Sequence, residues 1–176
     1  MITIAPLATA GIDLALGTAP VSGAVRGQAV TLALADARRR WSLRARDAAL
    51  LSATIGHTLP EKIGTHAGGI ARLGPDEWFA VLPADAALPL GEGLPLAVVD
   101  VSSRSLGFTL TGPGAAAALM RGCPLDLAKF TPGRATRTVF ETVEIQVWAI
   151  DADTFHVEVW RSFAAWLWHA IAEAIV

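Results

Sequence analysis

"ETVEIQVWAIDADTFHVEVW", residues 141–160, decides the fold. It reads as two alternating strands that turn at Asp151-Ala152-Asp153. A second stretch, "GGIARLGPDEWFAVLP" at 68–83, reads the same way, with its strands joined at Gly74-Pro75-Asp76. Set side by side, "IARLGPDEWFAVLP" and "VWAIDADTFHVEVW" share one texture: strand, acidic turn, aromatic, alternating strand. Two hairpins of one kind in one short chain point to an internal repeat.

The flanking segments extend the repeat. "RWSLRAR" (40–46) alternates, with Trp41, Leu43 and Ala45 on one face and Arg44 and Arg46 on the other, as in a half-buried strand. "DAALLSATIG" (47–56) follows as a helix, with Asp47 as N-cap and Gly56 just past its end. "ADAALPLGEGLPL" (84–96) is a helix start or a loop. In the second half, "AVVDVSSRSLGFTLTG" (97–112) supplies strand material. "PGAAAALMRG" (113–122) is a helix, with Pro113 near its first turn and Gly122 beyond its end. A last helix starts near Arg161, with Phe163, Trp166, Leu167, Ala170, Ile171 and Ile175 on one stripe. Each half therefore runs strand–helix–hairpin–helix. The expectation is an α+β, pseudo-duplicated fold of mainly antiparallel sheets with packed helices. Residues 1–30 are an arm or edge segment. Residues 31–176 form one unit in two halves, about 40–95 and 96–176.

Composition narrows the function. Of 176 residues, 53% are hydrophobic and 17% charged, which is apolar enough to leave surface for a partner. The net charge of −2 argues against nucleic acid. The single cysteine, Cys123, excludes an internal disulfide and any multi-cysteine metal site. "MITIAPLATAGIDLALGTAP" lacks the basic start of a signal peptide. "AAWLWHAIAEAIV" is too short for a membrane span and carries His169 and Glu173. A cytoplasmic protein is expected.

"DVSSRSLGFTLTGPGAAAALMRGCPLDL" followed by "FHVEVWRSFAAWLW" resembles the gamma subunit of bacterial heterotetrameric sarcosine oxidase. "GPDEW", "GCPLDL" and "RSFA" at these separations carry the resemblance, over roughly residues 40–175. Wider relatives are the folate-binding T-protein of the glycine cleavage system and similar aminomethyl-transfer domains. Asp100, Ser102, Gly112, Ala115, Asp126 and Leu127 occupy their motif. The resemblance implies an enzyme that oxidises sarcosine to glycine with peroxide and passes the methyl carbon to tetrahydrofolate. It places FAD, FMN, NAD and tetrahydrofolate on partner subunits and none on this chain. It implies larger alpha and beta subunits and a small delta subunit as partners, and neither nucleic acid nor membrane.

The T-protein relatives carry a Gly-Gly-x-x-Asp-Asp segment entering a strand of the second hairpin, whose first Asp orients the folate nitrogen. Aligned on "ETVEIQVWAI", the paired acids fall on Ile145 and Gln146, which cannot act as carboxylate bases. Glu144 is adjacent, and on a strand it faces away from Ile145. The resemblance therefore implies an accessory subunit without folate chemistry or catalytic residues of its own. A free-standing folate-binding aminomethyltransferase or tRNA-modification relative is the alternative, though that class carries further C-terminal sequence. A small interaction module unrelated to folate is another.

Other candidate residues carry paired readings. Cys123 is a buried small hydrophobe rather than a nucleophile. Asp100, Ser102 and Arg104 share a face if the strand is regular, either as a solvated or capping group or as a subunit contact. Asp126 is an N-cap or turn acceptor. His57, His66, His156 and His169 show no metal spacing. Gly112 and Gly114 form a helix-starting turn rather than a phosphate site. Arg38, Arg39, Arg40, Arg44 and Arg46 are a solvated edge or a contact for an acidic partner. Arg161, opposing the helix dipole, calls for a carboxylate partner. Ser162 or the preceding turn caps that helix, and Phe163 begins its buried stripe. Trp168, off the stripe, is either an anchor on a larger subunit or a ring tucked under the N-terminal arm.

Overall fold

Alternating burial sets out the strands of this chain, and the computed structural model describes residues 19–175. In chain order the elements are β1 (Val21–Val25), β2 (Gln28–Leu34), β3 (Arg38–Ala45), α1 (Ala48–Ile55), β4 (Thr65–Ala67), β5 (Ile70–Gly74), β6 (Glu77–Pro83) and β7 (Leu96–Asp100). Then come β8 (Ser105–Thr111), α2 (Ala115–Leu119), β9 (Ala135–Phe140), β10 (Val143–Ala149), β11 (Thr154–Trp160) and α3 (Arg161–Ile175). A 3₁₀ turn, Leu127–Lys129, separates α2 from β9.

The strands form two sheets, paired antiparallel throughout, in the orders β1-β2-β8-β11-β10-β9 and β4-β5-β6-β3-β7. The repeat is explicit here. β3-α1-β4-β5-β6 builds the order β4-β5-β6-β3, and β8-α2-β9-β10-β11 builds β9-β10-β11-β8. Each quartet takes its fifth strand from the segment that leads into the other. β2 precedes β3 but pairs with β8, while β7 precedes β8 but pairs with β3. The sheets therefore exchange strands.

The exchange shifts the boundaries read from sequence. Residues 21–34 belong to the second half's sheet, with β1 as its edge strand, and β7 carries the first half's sheet past residue 95 to Asp100. Residues 1–18 of the expected arm lie outside the described residues. Alternation identifies a strand and its faces but not its partner.

The layers run helix, sheet, sheet, helix. α2 and α3 pack on the outer face of the six-stranded sheet, over Phe108, Ile145, Val157 and Leu32. α1 packs Leu51 and Ile55 on Trp41, Leu43 and Trp78 of the five-stranded sheet. Between the sheets lie Ala71, Phe79, Val101, Ala135 and Trp148. At one end the sheets join through a bridge between Thr65 and Arg134. Asp47 caps α1 by accepting from the backbone N–H groups of Ala49 and Leu50, and Gly56 closes it in the left-handed conformation, as the sequence indicates.

The stripe of α3 differs from the sequence reading. Its buried residues are Ala164, Leu167, Trp168, Ile171, Ala174 and Ile175. Trp168 is 3% exposed and lies 5.5 Å from the Phe108 ring, whereas Phe163 and Trp166 are exposed. The chain passes without a loop from β11 into the helix, and the Arg161 N–H bonds to the Arg104 carbonyl at 2.6 Å. That junction sets the rotation of α3, and the small Ala164 and Ala174 face the sheet. A stripe weighted by large side chains misses a seam lined by alanines.

Candidate functional site

The polar chemistry of this molecule concentrates where β3 and β8 cross. The Arg40 carbonyl accepts the Val101 N–H at 2.8 Å, and the Gly107 carbonyl accepts the Ala35 N–H at 2.9 Å. Val101 follows β7 as Ala35 follows β2, so Arg40 and Gly107 are equivalent positions of the two halves. One carries the longest side chain of the pair and the other none. The Arg40 side chain reaches across the sheets, and its Nε donates to Glu158 Oε2 at 2.6 Å. Its Nη1 donates to the Arg38 carbonyl at 3.0 Å. His156 Nε2 meets the other oxygen, Glu158 Oε1, at 2.7 Å. Arg40 and Glu158 are both buried. A Cβ on Gly107 would stand 2.7 Å from Arg40, Glu158 and His156 atoms alike. Glycine is needed there for close approach.

Burial alone would raise the Glu158 carboxyl. The hydrogen bonds from His156 and Arg40 and the Arg40 charge outweigh it and hold Glu158 below the usual carboxylate range. Register places Arg137, Gln146, Glu158 and Gly107 in one row across β9, β10, β11 and β8. Arg137 forms an ion pair with Glu77 of β6, a second tie between the sheets, and lies 3.5 Å from Glu144. No buried side-chain nitrogen or oxygen among the described residues lacks a hydrogen-bond partner. This network is closed: its donors and acceptors serve each other and hold the sheets together.

Ile145, the position that the resemblance sets against a carboxylate, is apolar. Ile145 is 1% exposed and sits in the core under the helices. Gln146 is half-buried, and its Oε1 accepts from Trp148 Nε1 at 3.4 Å. Glu144 points out to solvent. A cavity of about 10 Å³ lies beside them, lined by Ser105, Glu144, Ile145, Gln146, Glu158, Val159 and Trp160. That is room for about one water.

The remaining candidates are placed as follows. Asp100, Ser102 and Arg104 do not share a face, because β7 ends at Asp100 and the chain turns. Asp100 Oδ1 accepts the Ser102 N–H at 2.8 Å, and Arg39 pairs with the same carboxylate. Burial would raise this carboxyl, and Ser102 and Arg39 together hold it below its usual value. Ser102 Oγ accepts the Arg40 N–H at 2.9 Å, which fastens the crossing. Arg104 lies 4.5 Å from the centre of the Trp160 ring. Arg161 finds a backbone carbonyl, that of Ser103 at 2.8 Å, where a carboxylate is expected. Ser162 is exposed.

Cys123 is buried, with its Sγ 3.8 Å from Thr138 Oγ1. Gly112 has φ +112°, and Gly122 packs under the Phe140 ring. Asp126 makes no side-chain cap and pairs instead with Lys129 at 2.7 Å. Arg44 pairs with Asp76 and Glu77, and beside it Arg46 borders an open groove of about 270 Å³ along Leu96 and Ala97. Arg40 leaves the solvated arginine run entirely. Its partner was signalled by "HVEVW", where His156 and Glu158 fall on the face opposite Val157. Ionisable residues at alternate positions of a strand that is buried on both sides need a buried counter-charge.

Among the described residues, no group of three His, Cys, Asp or Glu side chains could hold a metal ion, and no helix is long and apolar enough to cross a membrane.

Comparison with known proteins matches residues 43–176 to the model of the sarcosine oxidase gamma subunit family. A sarcosine oxidase subunit gamma from an Arthrobacter species is 32% identical over 122 residues, covering 62% of this chain and 60% of that one. One from Corynebacterium sp. P-1 is 29% identical, covering 72% and 68%. A chain of the heterotetrameric sarcosine oxidase from Corynebacterium sp. U-96, solved in complex with pyrrole 2-carboxylate, superposes with a TM-score of 0.78 at 28% identity, covering 87% of each chain. Aminomethyltransferase T of the glycine cleavage system from Bartonella henselae shares the fold, with a TM-score of 0.60 at 15% identity over 80% of this chain and 44% of that one.

Proposed function

This chain belongs to the sarcosine oxidase gamma subunit family, and from that premise we propose that it is a non-catalytic accessory subunit of a heterotetrameric sarcosine oxidase. Its partners are the larger alpha and beta subunits and the small delta subunit. FAD, FMN, NAD and tetrahydrofolate are held by those partners. The observation that carries this reading is the folate-type frame with its acid replaced. Asp100, Gly112 and Asp126 remain, while the aligned carboxylate is Ile145, in the helix-facing core. A pterin does not fit the one-water cavity beside Gln146. The residues there do not suit folate. What the chain supplies is a rigid two-sheet block, tied by Arg40–Glu158 and Arg137–Glu77, for larger subunits to seat against.

Co-expression with the large subunits, followed by size exclusion and peroxide production from sarcosine, tests the role. Omission of this chain is expected to lower assembly or turnover, and normal assembly and turnover without it would refute the role. Calorimetry of the purified chain with tetrahydrofolate is expected to show no tight binding. Tight binding lost in Glu144→Ala would restore a folate site.

A further inference from the structure

The molecule buries four of its six tryptophans almost completely: Trp41, Trp78, Trp148 and Trp168. The other two are six residues apart in sequence, on either side of the junction between β11 and α3. Trp160 ends β11 at 50% exposure, and Trp166 lies on α3 at 41%, with Phe163 between them at 46%. Phe163 and Trp166, three residues apart on α3, lie on one side of it, and Trp160 is the last strand residue before the helix. Further along α3 the outer face turns polar, with His169 and Glu173. The aromatic surface is thus confined to the first half of the helix and the strand end before it. Phe140 holds Trp166 edge-on, with ring centres 6.4 Å apart.

Two cations border this surface. Arg104 stacks over Trp160, and Arg161 is anchored on the Ser103 carbonyl. Neither guanidinium has a carboxylate partner among the described residues, in common with Arg26, Arg46, Arg72, Arg121 and Arg134 but unlike Arg39, Arg40, Arg44 and Arg137; Arg104 and Arg161 are the two of these that lie beside the exposed aromatic rings. Exposed aromatic rings with pre-positioned arginines match the composition of interface centres, and the unpaired positive charge selects an acidic neighbour.

We infer that Trp160, Phe163 and Trp166, with Arg104 and Arg161 beside them, form the surface by which this chain docks on a larger subunit of the oxidase, at an apolar patch rimmed by Asp or Glu. The inference rests on the accessory-subunit reading above and adds which face is used. Arg44, on the five-stranded sheet, and Arg46, just past the end of β3, are the other arginine candidates and are not part of it.

The test compares wild type, Phe163→Asp/Trp166→Glu, Arg104→Glu/Arg161→Glu and Arg46→Glu, each co-expressed with the other subunits. Both substitutions on the α3 surface are expected to weaken co-elution about 30-fold or more, as loss of a binding centre does. Arg46→Glu is expected to leave it unchanged. Hydroxyl-radical footprinting of the unmodified complex, which needs no variant to fold, is expected to protect Trp160, Phe163 and Trp166 relative to the chain alone. Full reactivity of these rings in the complex, or assembly lost only in Arg46→Glu, overturns the assignment. A dimer of the isolated chain that Trp166→Glu dissociates also overturns it, by making a second copy the occupant. If the wild-type chain does not co-elute at all, the accessory-subunit reading fails first, and the assignment with it.

Discussion

The charge of Glu158 is a single-residue decision with a measurable cost. Its carboxylate faces Arg40 and His156 in a buried setting, so replacement by Gln leaves a buried guanidinium without its counter-charge. Glu158→Gln is expected to lower unfolding free energy by about 3–5 kcal/mol, read by urea denaturation of the isolated chain. A loss within experimental error would show that the pair holds nothing together. The pH dependence has a fixed sign. Glu158 has a folded pKa below its ordinary 4.5, so its contribution is complete above that pH and is lost as the pH falls through the depressed value. A plot of Tm against pH should therefore fall more steeply in acid for wild type than for Glu158→Gln. At this scale the sequence was partly legible. Cys123 reads correctly as core, because it follows the end of a helix rather than opening one. Arg40 does not, because three arginines in a row look solvated until β8 and β11 are placed against them.

The hairpins were the most legible elements. Period-two alternation survives wherever one face is buried, and the acidic turns fall where the sequence puts them. The rotation of α3 was not legible, since it is set by a junction without a loop and a seam that includes alanines. That rotation separates two aromatic residues of one helix. Trp168→Ala opens the core beside Phe108 and is expected to cost about 3–5 kcal/mol. Phe163→Ala is expected to stay within about 0.5 kcal/mol of wild type in the isolated chain. Thermal or urea unfolding of the two variants checks both values, and equal losses would place α3 in the other rotation. A Phe163 variant that keeps full stability but loses assembly would separate the helix's two faces by what each one does.

For the whole molecule, element order was legible and sheet membership was not. The repeat of strand, helix and hairpin can be read in one dimension, but the exchange of β2 and β7 depends on how the halves face each other. The exchange predicts how the chain can be divided. Fragments 1–95 and 96–176, made separately, lack β7 and the β1-β2 hairpin of their respective sheets and are expected to show no cooperative unfolding by circular dichroism. Mixed, they are expected to regain it. A single fragment that unfolds cooperatively near the wild-type Tm would mean that the halves are independent. The same exchange governs the order of events during synthesis. The hairpin of β1 and β2 leaves the ribosome well before its partners, yet Thr31 awaits Thr111, and the apolar side chains of β2 are covered only when β8 and α3 have followed. The first half is likewise unfinished until β7 arrives. Neither sheet can mature while the chain is short, so the nascent protein carries uncovered strand faces for most of its translation, the interval in which aggregation and chaperone capture compete with folding.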